Sequence, residues 1–254
     1  MWITNHIEAE FYSTQLHGKI LSFNQARLGI DPRPSIPISI MSRSPKLLEL
    51  VGEIADGVVM GGFSSGASIE YGMKSVNLGL KKAGRDRKNL EICTWVTFTV
   101  DRNSSNARDF VMDGLPEKLW PGAKNFLQEA GVQIPVEIER LTSEFEMSKD
   151  SIYKCREMLS EYHTFADELV DHFTISGTPE HCIQKTKYVA GTEIDKIFIN
   201  PVAPRRDNKS CGKLSARYHA SGFLKEISAN RLPVVFWSSN KEVLDISNWK
   251  RIAS

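Results

Sequence analysis

The chain has 254 residues, of which 41% are hydrophobic and 25% are charged, as is typical of a globular protein with one large domain or two small ones. Its 32 basic and 31 acidic residues give a net charge of +1. This balance argues against a nucleic-acid partner and against an anionic membrane surface.

The four cysteines, Cys93, Cys155, Cys182 and Cys211, lie far apart and form no C-x-x-C pair. This pattern indicates reduced thiols in the cytoplasm, and neither a disulfide framework nor a zinc site. No histidine shows the spacing of a metal ligand, so no metal site is predicted. The N-terminus does not have the pattern of a signal peptide, and no stretch approaches the about 18 apolar residues of a membrane span.

The chain begins without a strong helix signal, and two short extended pieces are predicted within residues 17–30. Residues 31–34 form an extended linker, because each X-Pro step disfavours helix. The most informative stretch follows, over residues 34–62.

This stretch predicts a strand, a tight turn, a helix and a second strand in close succession. Alternating isoleucines indicate the first strand over residues 36–41. Ser44 before Pro45 is a typical helix N-cap followed by proline in the first helical position. Gly52 lies inside the helix, where glycine costs about 1 kcal/mol relative to alanine, so we expect it to pack closely against a sheet. The wholly apolar residues 58–60 then predict a strand buried on both faces, parallel to the first.

Further elements follow in the same alternation. Strands are predicted over residues 90–100, 173–175 and 196–199, and helices over residues 67–83, 148–169, 179–190 and 214–230. No strand is predicted between residues 107 and 170, and this segment is too long for a simple connection, so it is expected to form an inserted helical layer. The tail, residues 231–254, contains one short apolar run. The pattern predicts an α/β protein with parallel strands.

Three blocks resemble the luciferase-like flavin- or F420-dependent oxidoreductases, and within them most closely the methylenetetrahydromethanopterin reductase branch. They are I-P-I-S-I-M-S-R-S-P-K-L-L-E-L-V-G-E-I-A-D-G-V-V-M-G-G, A-G-R-D-R-K-N-L-E-I and I-S-G-T-P-E-H-C-I-Q-K. The resemblance covers roughly residues 10–205. It implies a (β/α)8 barrel of the TIM type with an insertion and a cofactor at the carboxyl ends of the strands.

On this alignment the chain begins about halfway round the barrel. The strands predicted at residues 36–41, 58–61, 90–100 and 196–200 correspond to the fifth to eighth barrel strands. The resemblance therefore implies a partial barrel: a single truncated domain over residues 1–254, with the helical insertion at residues 107–170 and a C-terminal tail at residues 231–254.

Two turns are the candidate cofactor-binding residues. The first is Met41-Ser42-Arg43-Ser44, where backbone N–H groups at a helix start, two hydroxyls and a guanidinium suit a phosphate group. The second is Met60-Gly61-Gly62, where glycines let a ligand approach the backbone. The resemblance implies that both turns contact the cofactor, the first at its phosphate. The alternatives are a capped helix with a solvated arginine and a plain turn.

Trp95 and Thr97 alternate along the third strand of the alignment, so they share one face and are candidates to point inward. The alternative is that both are ordinary core residues. The sequence contains no motif of a nucleophilic hydrolase, no P-loop and no G-x-G-x-x-G, and we assign no catalytic residue.

The leading hypothesis is an oxidoreductase that uses coenzyme F420 or FMN for hydride transfer to or from a small-molecule substrate. The alternative is an inactive half-barrel remnant that binds a ligand or associates with another subunit. Half a barrel would leave the strand at residues 36–41 with an unpaired edge. We expect that edge to be covered by residues 17–30, by residues 231–239 or by a second chain, as in a homo-oligomer.

Overall fold

The protein is described here by a computed structural model, which defines residues 14–17, 22–26, 36–119, 123–144, 146–202, 234–237 and 243–245. The strands are β1 Thr14–His17, β2 Ser22–Ala26, β3 Ser39–Ser42, β4 Gly57–Gly61, β5 Glu91–Val100, β6 Thr174–Gly177, β7 Lys196–Pro201, β8 Val234–Trp237 and β9 Val243–Asp245. The helices are α1 Pro45–Ile54, α2 Gly66–Ala83, α3 Ser104–Met112, α4 Ala123–Glu129, α5 Val136–Glu144, α6 Lys149–Glu161, α7 His163–Phe173 and α8 Pro179–Ala190. A 3₁₀ turn, Pro116–Lys118, lies between α3 and α4.

The main sheet consists mostly of parallel strands in the order β3-β4-β5-β7-β8. Strand β9 pairs antiparallel with β8, and β6 pairs with the last residues of β5, beyond the point where β4 ends. Helices α1, α2 and α8 connect successive parallel strands. The protein is a partial (β/α)8 barrel, which confirms the predicted fold class.

The start of helix α1 agrees with the prediction in its backbone but not in its side chain. Ser44 has an extended backbone, and its carbonyl accepts the first helical hydrogen bond from the N–H of Leu48, at 2.9 Å. The Ser44 hydroxyl makes no capping bond. Instead, the hydroxyl of Ser42 accepts a hydrogen bond from the N–H of Ser44 at 3.0 Å, which fixes the turn between β3 and α1.

Helices α1 and α2 contact each other through two glycines. A Cβ atom at Gly52 would overlap the carbonyl oxygen of Val76, and a Cβ atom at Gly79 would overlap the carbonyl oxygen of Glu49. The prediction that Gly52 packs against a sheet is therefore wrong. The glycine allows close approach, as expected, but its partner is the backbone of the next helix.

Helices α3 to α7 form the helical segment, defined here as residues 104–173. Its Phe126 has its ring centroid 5.8 Å from that of Phe63, which follows β4, and 5.6 Å from that of Phe173, the last residue of α7. The helical segment thus packs on the same end of the sheet at which β4 stops. Of the helices that the structure describes, none is both long and apolar enough to cross a membrane.

The expectation that the tail covers the edge of the sheet is wrong, and the described part of residues 17–30 adds no strand to that edge. In the tail, β8 pairs in parallel with β7, at the opposite edge of the sheet from β3. Strands β1 and β2 pair with each other in a separate two-stranded sheet. Within the described residues the outer edge of β3 therefore has no partner strand, and the side chain of Met41 on this strand is 53% exposed.

Candidate functional site

The two predicted turns lie side by side at one end of the sheet. Strands β3 and β4 are parallel, with Ser42 opposite Met60, so the residues that follow them emerge at the same edge. The Cγ atom of Arg43 lies 3.6 Å from the position that a Cβ atom on Gly61 would take. Arg43 thus extends across the first glycine of the second turn.

The opening between these two turns, at the carboxyl ends of β3 and β4, is called the mouth here. The seven candidate residues do not all point into it. Met60 is fully buried and its sulfur lies against Gly72 of helix α2, on the outer face of the sheet. Met41 and Gly61 lie on the opposite, inner face, because side chains alternate along a strand. Ser44 is exposed at the helix start, and Ser42 contributes by holding the turn.

A residue that sequence analysis did not identify completes the mouth. The Arg43 guanidinium donates hydrogen bonds from Nη1 to the carbonyl oxygen of Lys118 at 3.1 Å and from Nη2 to that of Glu117 at 3.4 Å. The Nζ atom of Lys118 lies 3.9 Å from the position of a Cβ atom on Gly62. Lys118 lies 75 residues from Arg43 in the chain, within the helical segment, and no local pattern in the sequence connects the two.

Both cations are in an environment that disfavours their charge. Burial lowers the pKa of Lys118, and the neighbouring charge of Arg43 lowers it further, while Glu117 acts in the opposite direction. Burial also lowers the pKa of Arg43, and Glu117 again opposes the shift. Side chains with shifted pKa values that converge at the end of a strand are typical of binding sites. Two cations together suit an anionic ligand.

The loop after β4 is held by hydrogen bonds to the neighbouring strand β5. Gly62 has φ of +82°, a conformation that favours glycine, and its N–H donates to the carbonyl of Trp95 at 2.6 Å. The buried Thr94 hydroxyl lies 3.1 Å from the carbonyl oxygen of Met60 and 2.5 Å from that of Phe63. The backbone of the glycine turn is therefore held in a defined shape.

An aromatic pair continues the inner face beside Gly61. Gly61, Trp95 and Phe198 are in register on three adjacent strands, and the rings of Trp95 and Phe198 are stacked with centroids 6.4 Å apart. Thr97, the next inward residue of β5, is buried and pairs in register with Asn200. Trp95 and Thr97 thus share the face on which Gly61 lies, as the alternation along β5 predicts.

The arrangement fits a ligand that has an anionic group and a flat ring. Arg43 and Lys118 supply positive charge, the glycine turn has no side chain that would block approach, and the aromatic pair supplies an apolar surface. Among the described residues no group of histidine, cysteine, aspartate or glutamate side chains is placed to hold a metal ion.

Comparisons with known proteins identify the family of the chain. The sequence model of a family described as luciferase-like monooxygenase matches residues 7–196. The 5,10-methylenetetrahydromethanopterin reductase of Archaeoglobus fulgidus is 28% identical over 205 residues, which cover 74% of this chain and 54% of that protein. The protein of the same name from Methanolobus tindarius is 24% identical over 200 residues, which cover 76% and 56%. The chain spans about half the length of the curated relatives it matches.

Solved structures show the same fold. The coenzyme F420 dependent tetrahydromethanopterin reductase from Methanopyrus kandleri superposes with a TM-score of 0.61 at 16% identity, over 86% of this chain and 59% of that one. An F420-dependent secondary alcohol dehydrogenase superposes with a TM-score of 0.53 at 14% identity, over 78% of this chain and 52% of that one. Because the family match covers most of the sequence, this chain belongs to the luciferase-like monooxygenase family.

Proposed function

We propose that this chain binds a flavin-type cofactor, coenzyme F420 or FMN, and takes part in hydride transfer to or from a small-molecule substrate. One observation carries the proposal: Arg43 and Lys118 converge on the glycine turn at the carboxyl ends of two parallel strands. The names of similar proteins support it: two solved structures are a coenzyme F420 dependent reductase and an F420-dependent dehydrogenase, and a curated relative is named as a reductase. A cytoplasmic location is also a proposal, and it rests on the scattered cysteines.

The residues have separate roles in this proposal. Ser42 shapes the turn, Arg43 and Lys118 bind the phosphate end of the cofactor, and Gly61 leaves room for the group that joins phosphate to ring. Trp95 supplies a surface against which the ring is oriented and shielded from water. When bound, the cofactor supplies the centre that accepts or donates hydride, so the chain needs to contribute mainly binding and orientation.

Titration of the purified chain with FMN and with F420, followed by absorbance and fluorescence, tests the proposal. Micromolar binding together with substrate-dependent reduction is the expected result for an oxidoreductase. Binding without turnover would instead support the ligand-binding remnant. If neither compound binds, the cofactor site is contradicted.

We expect Gly61→Leu to weaken cofactor binding by about tenfold or more, because the new side chain would occupy the space between Arg43 and Trp95. Fluorescence titration with FMN and F420 measures the effect. Gly114→Ala is the matched control, since a Cβ atom there would meet only the carbonyl oxygen of Val111 at an ordinary 3.7 Å. If Gly61→Leu and the unmodified chain bind FMN and F420 with equal affinity, Gly61 does not lie in the cofactor site.

We also propose that a second chain, in the simplest case a second copy, pairs with the outer edge of β3. An unpaired edge strand with an exposed apolar side chain such as Met41 is a typical place for strand addition. Sedimentation equilibrium should then give a mass above the 28.6 kDa of one chain. Met41→Lys should shift it toward one chain, because a charge on an edge strand opposes pairing.

The control for this variant is Met147→Lys, at a methionine that is equally exposed but lies outside the sheet. A single-chain mass for the unmodified protein at every concentration would contradict the association. The same mass for both methionine variants would show that β3 is not the contact.

A further inference from the structure

The mouth brings two positive charges together above one turn. The stem of Arg43 lies over Gly61, with its Cδ atom 3.8 Å from the position of a Cβ atom there. The Lys118 side chain lies over Gly62, with its Cδ atom at 3.8 Å and Nζ at 3.9 Å from the corresponding position. The hydrogen bond from Arg43 to the Lys118 carbonyl joins the two residues directly.

Arg43 and Lys118 are both cationic, so their contact differs from a structural ion pair between opposite charges. In the part of the chain that the structure describes, Lys118 forms no ion pair, and the charge of Glu117 raises the pKa of both cations. Glu117 is exposed, and burial outweighs its effect on the pKa of each cation, so that both pKa values are lowered. Two neighbouring, half-buried cations repel each other, and a bound group with two negative charges would relieve that repulsion.

The number of negative charges on the phosphate group distinguishes FMN from F420. A phosphate monoester carries close to two negative charges at neutral pH, and a phosphate diester carries one. FMN ends in a monoester, whereas the phosphate of F420 is a diester that continues into a side chain. A site with two cations around one turn matches the monoester in charge.

We propose that Arg43 and Lys118 together bind a terminal phosphate monoester, so that this site takes FMN in preference to F420. The inference rests on the proposed function, because it assigns the phosphate end of the same cofactor site. It also makes Lys118 a determinant of cofactor choice that is supplied by the helical segment. Its role is to bind the ligand and it takes no part in the transfer step.

The test compares the affinities of FMN, riboflavin and F420 for the full chain by fluorescence titration. FMN and riboflavin share one ring and differ in the phosphate, so their ratio of affinities isolates the phosphate contribution. We expect FMN to bind about tenfold or more tightly than riboflavin, and more tightly than F420. Between pH 5 and 7 the affinity for FMN should rise, because the monoester gains its second charge near pH 6.

Lys118→Gln should reduce the ratio of FMN to riboflavin affinity by about tenfold and flatten its pH dependence, with riboflavin affinity unchanged. Lys118→Arg keeps the charge and should retain the preference. Lys46→Gln is the matched control, because it removes one exposed positive charge from the start of helix α1 and should change no affinity. Thermal unfolding of each variant establishes that it is folded.

Equal binding of FMN and riboflavin by the unmodified chain would overturn the phosphate assignment and leave the flavin site standing. An equal loss of both affinities in Lys118→Gln, or tighter binding of F420 than of FMN, would also overturn it. If none of the three compounds binds, the cofactor proposal itself fails, and this inference fails with it.

Discussion

Replacing Gly79 by alanine is expected to lower the free energy of unfolding by about 3 kcal/mol. The added Cβ atom would overlap the carbonyl oxygen of Glu49 and lie 3.0 Å from the Cα atom of Gly52, so two backbones would have to separate. Alanine is the better helix former by about 1 kcal/mol, and this gain offsets only part of the strain. Urea denaturation followed by circular dichroism measures the change.

Two other glycine variants make this result specific to the contact between the helices. Gly52→Ala should be similarly destabilising, since its Cβ atom would overlap the carbonyl oxygen of Val76. Gly114→Ala, where nothing lies closer than 3.7 Å, should change the free energy of unfolding by less than about 1 kcal/mol. A stabilising effect at position 79 would mean that α1 and α2 are further apart than the structure shows.

Three buried thiols should together lower the free energy of unfolding by about 4 kcal/mol between pH 8 and pH 10. Lys185, whose pKa burial lowers to about 8, opposes part of this loss, because in the same window the unfolded chain retains a lysine proton that the folded chain has released. Burial raises the pKa of Cys93, Cys155 and Cys182 to about 12, from an ordinary value of 9.0. In this window the unfolded chain releases thiol protons that the folded chain retains, so stability is complete below pH 9 and falls as pH rises toward 12. At pH 10 each thiol accounts for somewhat more than about 1 kcal/mol.

Cys155 gives the clearest test, because burial is the sole cause of its raised pKa. Urea denaturation at several pH values should show that Cys155→Ala loses about 1 kcal/mol less stability than the unmodified chain between pH 8 and pH 10. The alanine lowers stability equally at all pH values by removing a packed side chain, so the comparison is between slopes. Parallel curves for the two proteins would contradict the buried thiol.

Local signals in the sequence were enough to predict the central strand, helix and strand. Pro45 determines where α1 begins, and the apolar run before Gly61 marks a buried strand. Two strands joined by one short helix must be parallel, so their carboxyl ends had to meet at one edge. The sequence therefore predicts that Arg43 and Gly61 lie close together, whereas their role in cofactor binding is still a prediction.

Features that depend on long-range contacts could not be predicted in this way. A glycine inside a helix indicates close approach but not the partner, so Gly52 was assigned to a sheet when it packs on α2. The apolar run in the tail carries no information about which edge of the sheet it joins, so residues 231–239 were a candidate for the wrong edge. Lys118 has no local signal, because its position over Gly62 depends on how the helical segment folds back.

The turn that carries Arg43 and the loop that follows the glycine turn are both anchored to the helical segment or to the strand directly after it. Arg43 bonds to the carbonyls of Glu117 and Lys118, and the Ser64 hydroxyl lies 3.0 Å from the carbonyl oxygens of both His172 and Thr174. A displacement of those helices would therefore change the width of the mouth. By thermodynamic reciprocity, a ligand that tightens around the turn also holds the helices in place, and a partner that loosens the helices releases the ligand.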